Sequence, residues 1–279
     1  MTANSGGFIH ANGIDIHYVQ AGQGIPLILL HGGLVSTNPI WAPTPVSYAG
    51  HMETLARSYR VIAPDTRGCG RTVHDGGTVT FDQLADDVLA LADALDLDQP
   101  LIAGFSEGGI TATVAGIRSP DRFGAIVNDA GYDAFNPQAP SFAMLRQMFG
   151  GSPTATEADP DAFARMMTHN EQMRPMFELL KADQDGGQGE GHWAEYLRLL
   201  FHRTTQSPGY TFEDLAKITA PALILVGDRD DYCTLDEGVI AYKQLTNGEI
   251  AVLPGTGHII TPAKVDQALS FFDRHRQAS

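Results

Sequence analysis

The chain has 279 residues, of which 43% are hydrophobic and 18% charged. This predicts a globular protein with one large α/β domain, or a domain that carries an insertion. The formal net charge of −15 argues against nucleic-acid partners and anionic membranes, because polyanions would be repelled. The two cysteines are too few for a disulfide framework, and no basic segment precedes an apolar core at the N-terminus. We therefore expect a cytoplasmic protein with reduced thiols, and no apolar run approaches the roughly 20 residues that span a bilayer.

The first residues predict the edge and the first inner strands of a sheet. Apolar and polar residues alternate on either side of Asn12-Gly13, which predicts a hairpin with a tight turn. His17 falls on the polar phase of this alternation and is interpreted as a solvent-exposed strand residue. The continuous apolar runs at 25–30 and 59–64 predict parallel strands that are covered on both faces.

Two distinctive loops follow these inner strands. The run at 25–30 ends in His31-Gly32-Gly33 and continues into a long irregular stretch that is expected to overhang the site. Trp41 in this stretch is predicted to line the pocket, with packing beneath the loop as the alternative. The run at 59–64 leads into Asp65-Thr66-Arg67-Gly68-Cys69-Gly70.

A serine flanked by glycines ends the next apolar run. Gly104-Phe105-Ser106-Glu107-Gly108 fits G-x-S-x-G, a tight strand-to-helix turn that exposes a serine hydroxyl. Glycine is expected at both flanking positions because a Cβ would collide with the neighbouring strand or helix, and Ser106 itself is expected in a strained conformation. The following helix directs its positive end toward the serine. An ordinary strand-to-helix turn is the alternative for so short a pattern.

A long segment separates the apolar run at 125–131 from the next strand at 221–227. Its length of about 90 residues, 132–220, is too great for a loop without structure of its own. Helical patterns recur within it, at 141–149, 161–181 and 193–204. The segment is therefore predicted to be a helical cap inserted over the site. The predicted α/β core consists of residues 1–131 and 221–279.

Methionine is concentrated in the predicted cap, which holds six of the eight methionines. Methionine adapts to irregular apolar shapes, so Met144 and Met148 are predicted to line a compliant, hydrophobic substrate pocket. The alternative is that such side chains form the core of the cap itself. The histidines of the segment have no spacing that fits a metal site. No metal and no other cofactor is predicted.

Two further groups with catalytic chemistry follow the last strands. The strand at 221–227 is followed by Asp228-Arg229-Asp230-Asp231, and the last predicted strand leads into a loop that ends in His258. Ser106, one of these acids and His258 then lie just beyond the carboxyl ends of parallel strands, where open α/β sheets place their sites. Serine is a weak nucleophile that needs an adjacent base, and the base needs an orienting acid.

The joint pattern resembles the α/β-hydrolase superfamily. It consists of the Gly104–Gly108 turn, the loop at 31–33, the Asp-x-Arg-Gly-x-Gly segment at 65–70 and His258. The resemblance covers the chain outside 132–220. It implies a mostly parallel, eight-stranded sheet flanked by helices, with an inserted helical cap.

The resemblance also implies the roles of single side chains in a catalytic triad. Ser106 is the expected nucleophile and His258 the expected base, and the chain order of nucleophile, acid and histidine is that of the superfamily. In this superfamily the acid commonly falls three residues after the strand-ending glycine. This position selects Asp230, with Asp228 and Asp231 as the alternatives.

The oxyanion hole is expected to consist of two backbone N–H groups. The resemblance assigns one to Glu107 and the other to Gly33, with Leu34 as the second choice. The acidic side chain of Glu107 departs from the usual pattern. Since only its N–H is needed by the fold, the carboxylate either tunes the site or pairs with a nearby arginine.

The expected activity is the hydrolysis of a small to medium apolar carboxylic ester or lactone through an acyl-enzyme. Serine rather than aspartate at position 106 argues against epoxide hydrolases and haloalkane dehalogenases, and the loop at 31–33 lacks the longer glycine-rich stretch of carbon–carbon bond hydrolases. A ligand receptor of the same fold with little turnover, and a lyase or perhydrolase using the same residues, are the alternatives. A monomer and a homodimer both remain open.

Overall fold

The computed structural model describes residues 5–74 and 76–275. Within these ranges one sheet contains eight strands: β1 (Ser5–Ala11), β2 (Ile14–Ala21), β3 (Pro26–Leu30), β4 (Arg60–Pro64), β5 (Leu101–Phe105), β6 (Ala125–Asp129), β7 (Ala222–Gly227) and β8 (Gly248–Leu253). Their order in the sheet is β1-β2-β4-β3-β5-β6-β7-β8. β2 pairs antiparallel with β1 and β4, whereas the other neighbours are parallel. The prediction of a mostly parallel, eight-stranded sheet is confirmed.

Helices flank the sheet, as predicted. They are α1 (Met52–Leu55), α2 (Phe81–Ala94), α3 (Glu107–Arg118), α4 (Pro140–Gly150), α5 (Pro160–His169), α6 (Arg174–Gln188), α7 (His192–Thr204), α8 (Leu235–Gln244) and α9 (Pro262–His275). Thr80 caps α2, because its side chain accepts a hydrogen bond from the backbone N–H of Gln83. α3 packs against β5 and β6, and α9 packs against β6, β7 and β8.

The main hydrophobic core lies on the inner strands. β5, β6 and β7 are buried along their whole length, as expected of parallel strands covered on both faces. β5 to β8 are mutually parallel neighbours, so their carboxyl ends meet at one edge of the sheet. The loops that follow these strands therefore converge at this edge.

Four helices, α4–α7, lie between β6 and β7 in the chain and are called the cap helices below. The predicted helix at 161–181 is in fact two helices, because the chain turns at Asn170–Met173 before α6 begins. α6 continues through Gly186 and Gly187. A Cβ on Gly187 would lie 2.0 Å from the carbonyl oxygen of Gly70. Glycine here thus permits close packing of α6 against the loop after β4.

The interpretation of His17 as a solvent-exposed residue is wrong. Its side chain is buried, and Nδ1 lies 2.8 Å from Oδ2 of Asp65. Asp65 also accepts hydrogen bonds from the backbone N–H and the hydroxyl of Thr37, at 2.9 and 2.6 Å. Burial alone would raise the pKa of Asp65, but these partners hold it below its usual value. The Asp65 carboxylate, in the loop after β4, therefore connects this loop to the loop after β3 and to His17 on β2.

Candidate active site

Ser106 occupies the sharp turn between β5 and α3. Its backbone has φ of 53° and ψ of −118°, a conformation that costs a non-glycine residue about 1–3 kcal/mol. A Cβ on Gly104 would lie 2.0 Å from the carbonyl oxygen of Gly108, and one on Gly108 would lie 2.6 Å from that of His31. Both glycines are therefore required by close backbone packing, as predicted from the pattern. The strain is held by surrounding structure, including a 2.7 Å hydrogen bond from the Ser106 N–H to the carbonyl of Asp129.

The side chains of Ser106, His258 and Asp230 form one hydrogen-bonded chain. The Ser106 hydroxyl lies 3.0 Å from Nε2 of His258, and Nδ1 of His258 lies 2.9 Å from Oδ2 of Asp230. This arrangement favours the tautomer with a proton on Nδ1, which leaves Nε2 to accept the serine proton. Phe105 and Tyr232 pack beside the imidazole, with ring centroids 4.9 and 5.1 Å away.

Asp230 is the one of the three candidate acids that contacts His258. Its other oxygen accepts hydrogen bonds from the backbone N–H groups of Tyr232 and Cys233, both at 2.9 Å. Burial alone would raise the pKa of Asp230, but the hydrogen bond from His258 and these backbone donors hold it below its usual value. Asp228 instead accepts from the N–H of Thr256.

A cavity of about 240 Å³ opens above Ser106 and His258. All three residues predicted for the oxyanion hole, Gly33, Leu34 and Glu107, line this cavity. Glu107 is the first residue of α3, so its N–H has no partner within the helix. Leu34, which follows His31-Gly32-Gly33, has a φ of 68°, a left-handed conformation that residues other than glycine rarely adopt.

Much of the remaining cavity wall is apolar, and the cap helices supply seven of the lining residues. Met148 lines it, as predicted, but Trp41 and Met144 do not. Trp41 is fully buried outside the cavity, where its indole N–H donates to Asp183 at 2.6 Å. Met144 is 37% exposed. The side chains that α4 turns toward the cavity are Phe142, Leu145, Met148 and Phe149.

The missed wall residues carry a signal in the sequence. On α4 they recur at i, i+3, i+6 and i+7, which is one face of a helix. Met144 lies off that face. The prediction rested on residue type alone, whereas helical spacing separates the side chains that face the cavity from those that face solvent.

A buried charged group beneath Ser106 was also missed. Nζ of Lys264 lies 2.5 Å from Oδ1 of Asp129, and the hydroxyl of Tyr48 lies 3.1 Å from Oδ2. The carboxylate and the ammonium are fully buried. Burial raises the pKa of Asp129, although Lys264 and Tyr48 act to lower it. The group ties β6 to α9 and to the loop that precedes α1.

Asp133 and Cys233 form a second polar group in the cavity wall. Asp133 accepts hydrogen bonds from Ser141 at 2.5 Å and from the Cys233 thiol at 3.0 Å. Ligand atoms of Cys233, Asp230 and His258 lie within 4.8 Å of one another, close enough for a metal ion. The Cys233 thiol also donates to the backbone carbonyl of Ala130 at 3.0 Å, and burial raises its pKa well above the usual value. The arrangement therefore favours the hydrogen-bonded pair of Asp230 and His258 over a metal centre.

Comparison with known proteins agrees with this architecture. The model of the alpha/beta hydrolase family matches residues 27–268. The chain belongs to the alpha/beta hydrolase family. Among the helices of the described part of this family member, none is long and apolar enough to cross a membrane.

The family member is similar to several enzymes over nearly its whole length. It is 26% identical over 263 residues to 3-oxoadipate enol-lactonase 2 of Acinetobacter baylyi, covering 94% of this chain and 91% of the relative. It is 27% identical over 267 residues to 2-hydroxy-6-oxononadienedioate/2-hydroxy-6-oxononatrienedioate hydrolase of Paraburkholderia xenovorans, covering 88% and 84%. A carboxylesterase structure from Bacillus subtilis superposes with a TM-score of 0.71 at 18% identity, covering 97% and 92%. The structural likeness shows a shared fold, and lactonases and esterases are hydrolases of ester bonds.

Proposed function

We propose that this protein is a serine hydrolase that cleaves a small to medium apolar carboxylic ester or lactone through an acyl-enzyme. One observation carries the proposal: the hydrogen-bonded chain from Ser106 through His258 to Asp230 lies at the floor of an apolar cavity. Similarity to an enol-lactonase supports the assignment to ester bonds.

In the proposed reaction, Oγ of Ser106 attacks the substrate carbonyl while Nε2 of His258 takes the hydroxyl proton. Asp230, with its lowered pKa, stays ionised and stabilises the imidazolium. His258 then returns the proton to the leaving alkoxide, and an acyl-enzyme remains on Ser106. In a lactone the alcohol stays attached to the acyl chain. Water then attacks the acyl carbonyl and loses a proton to His258, which passes that proton to Oγ of Ser106 as the bond to the acyl group breaks and the acid is released.

The negative charge that develops on the carbonyl oxygen needs two hydrogen-bond donors. The backbone N–H of Glu107 is one, and that of Gly33 or Leu34 is the second. All three residues border the cavity next to Ser106. Loss of one such donor typically lowers the rate on the order of a hundredfold or more.

The cavity wall supports an uncharged substrate. Its lining includes two acids, Glu107 and Asp133, and within residues 5–74 and 76–275 no lysine or arginine lines it. An acyl chain that carries a carboxylate would enter this wall without a cationic partner, which is costly in an apolar site. In this proposal, residues 132–220 act as a cap whose helix α4 accommodates the apolar acyl chain, and the enzyme works in the cytoplasm without a cofactor.

The test compares the wild type with Ser106→Ala and with a control variant, Ser58→Ala. Ser58 is exposed and lies outside the cavity. p-Nitrophenyl acetate and butyrate are the substrates, and a fluorophosphonate labels the nucleophile. We expect turnover and labelling in the wild type and the Ser58→Ala control, and neither in Ser106→Ala. Ligand binding without turnover or labelling in the wild type would favour the receptor alternative. Comparing p-nitrophenyl butyrate with mono-p-nitrophenyl succinate tests the preference for an uncharged acyl chain.

A further inference from the structure

A buried ion pair joins the residue after Ser106 to the cap helices. Nε of Arg203 on α7 donates to Oε1 of Glu107 on α3. Glu107 is 2% and Arg203 3% exposed. The other carboxylate oxygen, Oε2, and both terminal guanidinium nitrogens have no hydrogen-bond partner among the described residues. The two charges therefore act mainly on each other.

The carboxylate of this pair lies beside the proposed oxyanion hole. A Cβ on Gly33 would be only 3.1 Å from Oε2 of Glu107. Gly33 and Glu107 are the two residues to which the oxyanion donors are assigned, and both line the cavity with Ser106. An uncompensated carboxylate at this position would oppose the negative charge that develops on the substrate carbonyl. Because the site is shielded from water, such repulsion is stronger than in solution.

We propose that Arg203 is a positioning residue for catalysis, which neutralises the Glu107 carboxylate so that the oxyanion can form beside it. The inference rests on the proposed hydrolase function and adds to it a requirement for a cation from the cap helices. Arg203 does not line the cavity, and it acts on the reaction only through Glu107.

The surroundings of Arg203 keep it charged and fixed. Burial alone would lower the pKa of Arg203, but the Glu107 carboxylate outweighs this and raises it. The guanidinium carbon lies 5.6 Å from the centre of the Tyr196 ring, seven residues or about two turns earlier on the helix. Tyr196 is itself fully buried. The cation is thereby held against the carboxylate by packing as well as by charge.

A purely structural role would make a different prediction. If the pair only tied α7 to α3, Arg203→Met and Glu107→Gln would each leave a buried charge unpaired, and both would lose stability and kcat together. If Arg203 acts electrostatically, the damage from its loss comes from the carboxylate left behind. Arg203→Met, which keeps the carboxylate, should then lose far more kcat than Glu107→Gln or the double variant, which remove it.

The experiment measures kcat and KM for p-nitrophenyl butyrate in Arg203→Met, Glu107→Gln and the double variant. Arg203→Met should lower kcat roughly tenfold or more, with a smaller change in KM. The double variant should recover kcat to within a fewfold of the wild type. Arg198→Met is the matched control, because Arg198 lies on the same helix and pairs with Glu195 at the exposed surface. Its kcat should stay within about twofold of the wild type.

Thermal unfolding by circular dichroism accompanies each variant. If Arg203→Met does not fold, Arg203→Gln, which keeps a polar side chain, takes its place in the same comparison. Equal losses of kcat in the single and double variants, or an unchanged kcat in the folded arginine variant, would overturn the proposal while the hydrolase function stands. A wild type that neither turns over the ester nor reacts with a fluorophosphonate would overturn the proposed function and this inference together.

Discussion

Lys264→Met should destabilise the protein severely, because it leaves the Asp129 carboxylate buried without its cation. Both side chains are fully buried, and Nζ lies 2.5 Å from Oδ1. Among the described residues, the other side chain that donates a hydrogen bond to the Asp129 carboxylate is Tyr48, whose hydroxyl lies 3.1 Å from Oδ2. Breaking a buried pair by removing one partner typically costs about 3–5 kcal/mol. That is a large share of the roughly 5–15 kcal/mol that stabilises a native protein.

The double variant Asp129→Asn/Lys264→Met separates charge from packing. With both charges removed, most of the lost stability should return, since a neutral pair of similar volume often replaces a buried ion pair at little cost. Urea unfolding at pH 7 gives the free energies. Lys243→Met, which removes an exposed lysine from α8, is the control and should change stability by less than about 0.5 kcal/mol.

The pH dependence provides a second check on the same reasoning. Burial already raises the pKa of Asp129, and removal of Lys264 should raise it further. When the pKa of a carboxyl group is higher in the folded than in the unfolded state, ionisation of that group destabilises the fold. The free energy of unfolding of Lys264→Met should therefore fall as the pH rises. A loss below about 1 kcal/mol, or a double variant as unstable as Lys264→Met, would refute this account of the buried pair.

Three further variants test the site and its walls. Asp230→Asn should lower kcat by about 10³–10⁴-fold, as loss of the orienting carboxylate does in serine proteases. The pKa of Asp230 is lowered in the folded protein, so its ionised carboxylate stabilises the fold at pH values above the unfolded pKa of roughly 3.9. Thermal melts should show this stabilisation fading as the pH falls through the lower pKa of the folded state. Gly108→Ala should abolish activity or folding, because its Cβ would lie 2.6 Å from the His31 carbonyl oxygen; a soluble, active variant would contradict this packing. Leu145→Trp should exclude p-nitrophenyl butyrate while Met144→Trp leaves its KM unchanged, and equal effects in steady-state kinetics would contradict the assignment of the cavity wall.

The sequence predicted well those features that depend on the ends of strands. Ser106, Asp230 and His258 each follow a run of buried apolar residues. Parallel strands bring their carboxyl ends to one edge of a sheet, so order along the chain translates into proximity in space. The same reasoning located the loop that carries Gly33, because it follows β3 at the same edge.

The buried ion pairs could not be predicted in this way. Glu107 and Arg203 are 96 positions apart, and Asp129 and Lys264 are 135 positions apart. A charged residue in one sequence is, on base rates, an exposed residue. Its partner is determined by how helices pack across the sheet, which neither periodicity nor spacing encodes. The nearby-arginine alternative for Glu107 named the correct residue type without its position.

The wrong interpretation of His17 has a similar cause. Alternation along β2 correctly separates its two faces, but it does not say what covers each face. The loop after β4 crosses the face that carries His17. There, Oδ2 of Asp65 is hydrogen-bonded to Nδ1 of His17. His17, on a strand that the sequence pattern places at the edge of the sheet, is therefore buried by a segment that lies 48 positions later in the chain.

The corrected position of Trp41 changes how the cap helices are understood to act. Asp183 on α6 accepts hydrogen bonds from the Trp41 indole and from the side chain of Asn38, at 2.6 and 3.0 Å. These two donors lie in the loop that begins with Gly33. Trp41 thus fixes α6 to that loop, and its effect on a substrate would pass through the position of the oxyanion donors.

The cap helices therefore differ in what a substitution in them should do. α6 and α7 carry the buried polar contacts of Asp183 and Arg203 with the core, so changes there should alter the rate of reaction. α4 instead presents Phe142, Leu145 and Met148 to the cavity, and volume-conserving exchanges among apolar side chains are tolerated well. Because apolar contacts scale with the area that they bury, changes on this face of α4 should shift the preferred acyl chain length while the chemistry at Ser106 persists. Changes in substrate preference are therefore expected mainly from α4, which supplies four lining side chains, whereas α6 and α7 supply Met176, Leu200 and Thr204.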